Sequence, residues 1–369
     1  MGGTAELGED LVEYILLRLS VKSLVRFKCV DRSWDVLFKT PNFVQNHLHI
    51  HRNEEIFMIR QTRHYRWVTI VNNSTSTIDT TYLFPEFNYE INVDGSVDTF
   101  CTQGSCNGVF CICLTFDQEI IPGEGIHKLY LWNPATREVK VVPPPPLPYR
   151  SDKYKCIFGL GADPNSINGL EVVNLIFDYK NNSPPYVVLY NLITNSWTFI
   201  TTDLISVVPD YYNCDLSGYL VKGVFYWIIS LVFLDDDKIL CFNFRNNQFH
   251  ILKRPPTSVA FHLDFIDEVN DSTAYVVHGY SENFSRKVEI WILENDKWTK
   301  KYTFAPFEYL HSLFAIWKGG AEFLGIPTMG SSCFHIYNSD CQCIRAVNNN
   351  SGSVCFVYKY VESITSLSF

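Results

Sequence analysis

The spacing of apolar residues changes near residue 50. Before that point apolar side chains recur every three or four positions, as in Leu11, Ile15 and Leu19, and this period predicts amphipathic helices. After it, short runs of Val, Ile, Phe, Tyr and Thr predict β-strands, as in WVTIV at 67–71. We therefore expect a small helical domain, residues 4–50, followed by a large all-β domain, residues 51–369, each with its own core.

Three helices are expected in the helical domain. The first should run from about Glu9 to Leu19, with its acidic residues at the positive N-terminal end of the helix. Ser20 and Asp31 are candidate N-caps of the second and third helices. Three such short helices bury too little apolar surface to be comfortably stable alone, so we expect the domain to dock against a partner.

The order of these residues, with VKSLVRFKCV at 21–30 followed by Ser33 and Trp34, resembles the F-box of plant ubiquitin-ligase receptors. The resemblance implies binding to a Skp-type adaptor and, through it, to a cullin and a RING protein. The adaptor-binding residues that it implies are Leu7, Leu11, Ile15, Leu16, Leu19, Val21, Leu24, Phe27, Val30 and Trp34. The family usually has proline where this chain has Gly8 and Ser20, so helix entry is less rigid here. The alternative is an ordinary helical hairpin at the start of a larger fold.

One hairpin pattern repeats through the β domain. Each copy has a strand, a turn that begins at asparagine, and a second strand. The turn-entry residues are Asn133, Asn191, Asn243 and Asn338. A repeat of about 50 residues predicts the blades of a β-propeller, and the length of the domain fits six or seven blades. We expect four aromatic residues to pack between blades, namely Trp132, Trp197, Phe249 and Trp298.

These hairpins are also similar to the F-box-associated, kelch-like domain of the same plant family. The similar segments are SCNG at 105–108, LWNPATRE at 131–138, the hairpin at 187–200, EIW at 289–291 and YVES at 360–363. The resemblance is greatest to the S-locus F-box proteins of self-incompatible flowering plants, whose pollen-expressed members recognise style ribonucleases. It implies a substrate-recognition subunit of an SCF-type cullin-RING ubiquitin ligase with such a target. The alternative within this class is a paralogue with an unrelated target.

Charge narrows the class of partner. The formal net charge is −9, and residues 1–50 hold as many basic as acidic side chains, so the whole excess lies in the β domain. An acidic domain suits a basic protein partner better than nucleic acid. We expect discrimination among related ribonucleases to come from loops in 72–100 and 143–171, where the pattern is weakest.

The cellular compartment of the protein decides whether its cysteines are expected to form disulfides. No apolar run is long enough to span a membrane and no secretory signal opens the sequence, so we expect a cytoplasmic, and also nuclear, location. In a reducing compartment the 12 cysteines should be mostly small buried residues. Cys111 and Cys113, like Cys341 and Cys343, should share one face of a strand, a spacing unlike that of zinc sites.

No motif points to catalysis, a cofactor or a metal. Gly159 and Gly161 lack the third glycine of a dinucleotide site and are expected in a turn. The acidic run 235–237 should be a solvated hairpin tip, and PPPPLP at 143–148 a stiff connection between blades. We therefore expect a non-catalytic receptor. The alternative from another class is a propeller enzyme such as a glycoside hydrolase, which would need paired carboxylates.

Overall fold

The computed structural model describes residues 8–52, 55–61, 66–72, 78–82, 97–116, 127–146, 154–163, 169–178, 184–202, 218–229, 238–280, 282–307, 309–317, 320–328, 331, 333–348 and 356–368. The acidic run 235–237 and Leu7 lie outside these residues. No helix in the described residues is both long and apolar enough to cross a membrane.

Four helices open the described chain, where the sequence predicted three. They are α1 (Glu9–Leu16), α2 (Val21–Phe27), α3 (Arg32–Leu37) and α4 (Pro41–His51). The additional helix α4 has a local cause, because Pro41 is its first residue and the Thr40 hydroxyl accepts a hydrogen bond from the Phe43 backbone. Phe43 is buried in one cluster with Leu16 and Leu24, and the buried His47 ring lies 2.9 Å from the Leu19 carbonyl oxygen, so both hold α4 against the other helices.

Capping at the helix starts follows the prediction only in part. Asp31 caps α3, since its carboxylate accepts a hydrogen bond of 2.7 Å from the Ser33 backbone N–H. That bond lowers the pKa of Asp31. Ser20 occupies the N-cap position of α2, but its hydroxyl lies 3.1 Å from the Ser23 hydroxyl instead of capping the backbone.

The 24 strands of the described residues pair into antiparallel four-stranded sheets. The first three strands are β1 (Glu55–Gln61), β2 (Arg66–Asn72) and β3 (Ile78–Tyr82). Sheet 1 contains β4 (Val97–Cys106), β5 (Val109–Phe116), β6 (His127–Asn133) and β7 (Glu138–Val142). Sheet 2 contains β8 (Tyr154–Gly161), β9 (Glu171–Asp178), β10 (Tyr186–Asn191) and β11 (Ser196–Ile200).

Sheet 3 contains β12 (Gly218–Val221), β13 (Val224–Ile229), β14 (Lys238–Asn243) and β15 (Gln248–Lys253). Sheet 4 contains β16 (Ala260–Val269), β17 (Ser272–Tyr280), β18 (Arg286–Glu294) and β19 (Lys297–Phe304). Sheet 5 contains β20 (Ser312–Trp317), β21 (Glu322–Ile326), β22 (Cys333–Asn338) and β23 (Cys343–Asn348). The last strand, β24 (Phe356–Tyr360), pairs with β1 and completes a closing sheet of order β24-β1-β2-β3.

The prediction of six or seven blades requires a correction, since five blades are each formed by four consecutive strands. Within the described strands, five sheets consist of four consecutive strands, and the remaining sheet is a composite of the two ends of the β domain. In that sheet Ile56 pairs with Lys359, so the join is made by backbone hydrogen bonds rather than by a loop. The innermost strands β4, β8, β12, β16, β20 and β24 contact one another in this order around a closed ring. Each of these six strands stands at one end of its sheet, so the ring brings their outer edges together around its centre.

Apolar clusters fill the spaces between neighbouring sheets. On β9, Val172 packs toward sheet 1 and Val173 toward sheet 3, because successive side chains of a strand point to opposite faces. The expected inter-blade aromatics are confirmed in this role. Trp197, Phe249 and Trp298 pack against such clusters, and Trp132 contacts Phe110, whose ring lies against the closing sheet.

The four turn-entry asparagines are confirmed. Each side-chain oxygen accepts a hydrogen bond from the backbone N–H two residues later, at 2.9–3.1 Å. Such an Asx turn substitutes a side chain for one backbone turn bond. The turns then close through a residue at positive φ, such as Asn195 or Asn247. The repeat seen in the sequence is therefore a repeat of turn chemistry.

Two other local predictions were wrong. Gly159 and Gly161 lie in β8 rather than in a turn. The Phe225 and Phe244 rings lie so close to them that neither position has room for a side chain. A Cβ on Gly161 would be 2.1 Å from the Phe244 ring. Cys341 lies in the turn before β23, so it does not share a strand with Cys343, whereas Cys111 and Cys113 are both buried in β5 as expected.

Glu289 of the EIW segment is a fully buried carboxylate on β18. Its hydrogen-bond and ion-pair partners are Lys287, Lys300, Thr257, Ser258 and the Trp291 indole. Burial alone would raise the pKa of Glu289, but these donors outweigh burial and lower the pKa to about 2. Because the folded pKa is below its ordinary value of 4.5, Glu289 stabilises the fold above that pH, and the stabilisation is lost as pH falls toward 2.

We therefore predict that Glu289→Gln lowers the free energy of unfolding at pH 7 by about 3 kcal/mol. The difference from the wild type should shrink between pH 4.5 and 2, the interval between the two pKa values. Urea denaturation across this range measures both effects. Glu294→Gln is the control, since Glu294 lies on the same strand but is half exposed in its pair with Lys301. Equal losses in the two variants, or a difference independent of pH, would contradict the assignment.

Candidate functional site

Helix α1 presents an apolar face to solvent. Leu11, Tyr14 and Ile15 lie three and four residues apart on the helix and are 46%, 54% and 45% exposed. Val30, after α2, and Val36, on α3, are also exposed. Exposed apolar side chains grouped on one helix face mark an interaction surface. We call residues 8–52 the helical module, and its exposed apolar side chains the docking patch.

The sequence-derived adaptor residues fall into two groups in this module. Leu11, Ile15 and Val30 belong to the docking patch and remain available to a partner. The fully buried residues form the module's own core, and they are Leu16, Val21 and Leu24. The half-buried residues pack at the edge of that core, and they are Leu19, Phe27 and Trp34.

The core of the helical module is shared with the propeller. Ile364, which follows the last strand, is buried in the same cluster as Leu24 and Phe43, and Ala135 of the β6–β7 turn packs against it. The expectation of two separate cores is therefore wrong. The module rests on the propeller through this contact.

Residues 361–368, which we call the C-terminal clamp, make the connection. Asn133 is fully buried and its side-chain amide donates hydrogen bonds of 3.0 and 2.8 Å to the carbonyl oxygens of Ser363 and Thr365. The Glu138 carboxylate accepts from the Leu367 backbone N–H. Asn133 thus caps its own turn with one end of its amide and holds the clamp with the other.

The SCNG segment contacts the clamp from the other side. Gly108 has a φ of +73°, and a Cβ there would lie 2.3 Å from the Ser363 Cβ and 2.7 Å from the Val361 carbonyl oxygen. The Ser105 hydroxyl donates to the Lys359 carbonyl at 2.8 Å. Segments 105–108 and 131–138 therefore both meet segment 360–363, which lies far from them in the sequence. Their shared task is to fix the clamp.

Consecutive strands run in opposite directions, so their connections alternate between the two faces of the propeller. The β4–β5, β6–β7, β10–β11 and β12–β13 connections are turns of two to four residues on the face that carries the helical module. A cavity of about 400 Å³ lies between α4 and this face, lined by Val44 and Gln45 of the module and by Leu170, Ile193 and Lys222 of the propeller. One expected specificity segment, 143–171, contributes residues 162–163 and 169–170 to the lining of this cavity. These residues therefore face the helical module rather than a target.

The opposite face, which we call the loop face, carries the other connections. Two exposed aromatic residues lie there. Phe284, between β17 and β18, is 82% exposed, and Tyr309, between β19 and β20, is 76% exposed. Their connections touch, since the Phe307 backbone N–H donates to the Arg286 carbonyl oxygen. Aromatic side chains of this kind dominate many protein interfaces.

Sequence reasoning missed both aromatics. The available signal was an isolated Phe284 within the polar run SENFS at 281–285, where burial gives no reason for a large apolar residue. Both residues also have positive φ, +56° for Phe284 and +55° for Tyr309, which is uncommon for bulky side chains. Such backbone strain often accompanies function.

Comparison with known families identifies the β domain. A model of the F-box associated beta propeller domain matches residues 55–367. The chain belongs to this family. A protein of Arabidopsis thaliana named as an F-box protein is 27% identical over 320 residues, which cover 84% of this chain and 74% of that protein. Another, named as an F-box/kelch-repeat protein, is 26% identical over 317 residues, or 80% of this chain and 71% of its own length. These names support the assignment of a plant F-box protein.

Solved structures resemble the F-box-associated propeller only distantly. The β-propeller domain of the Trilobed protease from Pyrococcus furiosus is 10% identical to this chain, with a TM-score of 0.36. The match covers 68% of this chain and 71% of the chain of that structure. A score this low supports no conclusion about this chain. In the described residues no group of three or more His, Cys, Asp or Glu side chains is placed to hold a metal ion.

We predict that Gly108→Ala destabilises the protein by displacing the clamp. Gly320→Ala is a matched control, because Gly320 has a φ of +102° in the corresponding β20–β21 turn but a Cβ there would meet nothing closer than 3.4 Å. Both variants bear the backbone strain of about 1 kcal/mol. Only Gly108→Ala adds a steric clash, so its melting temperature should fall by several degrees more than that of the control. Equal melting temperatures would contradict the clamp geometry.

Proposed function

We propose that the chain is the substrate-receptor subunit of an SCF-type cullin-RING ubiquitin ligase. The observation that carries the proposal is the docking patch, an unpartnered apolar face on a helical module that is fixed to one face of the F-box-associated propeller. The division into an adaptor-binding part, residues 4–50, and a receptor part, residues 51–369, is proposed with it. The protein would work in the cytoplasm or nucleus, where such ligases act.

The geometry suits this task. An adaptor at the docking patch and a target at the loop face would be held at opposite ends of a body with a shared core. The target's lysines would then lie at a defined distance from the ubiquitin-charged enzyme brought by cullin and RING protein. The receptor supplies proximity and needs no chemistry of its own.

The described residues match the enzyme alternative less well. Glu171 has a pKa raised by burial, but its carboxylate already accepts a hydrogen bond from the Asn191 side chain. Glycoside hydrolysis needs two carboxyl groups on either side of an open cleft, one of them with a raised pKa. The carboxylate with the largest described shift, Glu289, is fully buried and has a lowered pKa. It is therefore a structural ion-pair site, suited neither to donating a proton nor to meeting a substrate.

The narrower proposal is that the target is a style ribonuclease recognised in pollen. It rests on the sequence resemblance to S-locus F-box proteins, whereas the relatives described above are named only as F-box or F-box/kelch-repeat proteins. The acidic balance of the receptor part supports a basic protein of some kind. Binding of purified style ribonucleases, compared with basic proteins of equal charge, separates the narrow target from the general class.

Substitution in the docking patch tests the ligase proposal. We predict that Ile15→Asp reduces copurification of adaptor and cullin at least tenfold, because a carboxylate replaces an exposed apolar contact. The matched control is Ile251→Asp, since Ile251 is 43% exposed on β15, away from the helical module. Leu16→Asp should instead unfold the module, because Leu16 is buried. Wild-type copurification of Ile15→Asp would refute the proposed adaptor site.

The loop face generates a separate prediction about the target. We expect Phe284→Ala and Tyr309→Ala each to weaken target binding about tenfold or more, with Phe199→Ala on β11 as an exposed aromatic control. Association should also slow as salt rises, because exposed charges are screened beyond a Debye length of about 10 Å at 0.1 M. Binding kinetics measured with a captured target report both effects. Unchanged affinity in the two variants would remove the loop face from consideration.

A further inference from the structure

A cavity of about 260 Å³ lies between sheets 1 and 2 at the end nearest the loop face. The start of β6 and the end of β7 form one side, and both of these strand ends lie on the loop face. Phe158 of β8 and Asn174 of β9 form the other side. The remaining lining is His127, Lys128, Leu129, Val141, Val142 and Pro143–Pro145.

Asn174 is the unusual member of this lining. It is 1% exposed, and neither its Nδ2 nor its Oδ1 has a hydrogen-bond partner among the described residues. Its neighbours Val173 and Leu175 pack toward sheet 3, so alternation along β9 directs Asn174 toward sheet 1, where the cavity lies. Buried polar groups in proteins are nearly always paired, and an exception calls for an explanation.

Turn chemistry does not explain Asn174. The turn-entry asparagines use their side-chain oxygens at the ends of strands. Asn174 is instead in the middle of β9, paired with Phe158 and Val188 in the ladder, and its backbone needs no side-chain support. An apolar residue would pack at this position without leaving a donor and an acceptor unpaired.

We propose that this cavity is a binding subsite for a carboxamide, the side chain of an asparagine or glutamine of the target protein. The proposal deepens the proposed receptor function and rests on it. A carboxamide offers one donor and one acceptor side by side, so it pairs with Nδ2 and Oδ1 of Asn174 at once. Leu129, Phe158 and Pro143–Pro145 cover the aliphatic part of the inserted side chain.

Charged side chains fit the cavity less well. A carboxylate only accepts hydrogen bonds, so Oδ1 of Asn174 would stay unpaired. An ammonium only donates, so Nδ2 would stay unpaired, and the charge would enter a lining whose ionisable members are His127 and Lys128. A site built to pair with an amide rejects analogues that leave a buried polar group unpaired.

Capped amino acids test the subsite without any target or adaptor. The probes are the N-acetyl methylamides of glutamine, glutamate and methionine, which share the same backbone amides and differ only at the side-chain end. Ligand-observed NMR with the full chain should show millimolar binding of the glutamine probe, at least tenfold tighter than that of the other two. This result does not depend on adaptor binding, so the subsite and the ligase function can fail separately.

Asn174→Leu is the informative variant. It should abolish binding of the glutamine probe while leaving the melting temperature equal or higher, because an apolar side chain replaces unpaired polar atoms. Should the variant unfold, the wild-type order of the three probes still decides the matter. Three outcomes would each overturn the proposal. They are equal binding of all three probes, no detectable binding of the glutamine probe at about ten times the expected millimolar dissociation constant, and binding of that probe to folded Asn174→Leu.

Discussion

The C-terminal clamp is the contact on which the rest of the structure depends. Immediately before it, β24 pairs with β1 and closes the ring of sheets, and Ile364 within it enters the core of the helical module. Both ends of the β domain and the helices therefore meet through about a dozen residues. Small helical domains rarely bury enough apolar surface to be stable alone, and here the shared cluster supplies what the helices lack.

This arrangement explains why several segments have their particular residues. Asn133, Gly108 and Ser105 lie far from the clamp in the sequence, yet each contacts the clamp or the strand before it. Glu289 is also structural, since its buried charge is paired with the donors around it. Residues that look like chemical motifs in the sequence thus serve to hold strands in place. The docking patch and the loop face are the exposed surfaces that our proposal assigns to partners.

Local features could be predicted from the sequence because their causes are local. The Asn191 and Asn243 turns and the Asp31 cap each depend on a side chain and backbone groups a few residues away. Helix α4 also has a local signal in the sequence, because Thr40 followed by Pro41 is typical of a helix start. The apolar period predicted α1 but not which residues the module buries. Ile15 and Leu16 both fit the period, yet one is exposed and the other is in the core.

Features that depend on distant contacts could not be predicted in this way. No pattern near Gly161 indicates that the Phe244 ring of another sheet will lie against it. Likewise nothing in the sequence near Leu24 indicates Ile364 as a neighbour, since the contact exists only after the ring has closed. The subsite at Asn174 and the aromatic residues Phe284 and Tyr309 belong to the same class, because burial and exposure are properties of the assembled sheets.

Hydrogen–deuterium exchange of an Ile364→Ser variant tests the central claim, that helices and propeller form one body through the clamp. The account predicts that backbone amides of α2 and α4 exchange at least tenfold faster than in the wild type, because the shared core loses a fully buried side chain. Amides of sheet 4, which does not contact Ile364, should keep their wild-type rates. Unchanged protection of α2 and α4 would show that the helical module is stable without the clamp and would contradict the account.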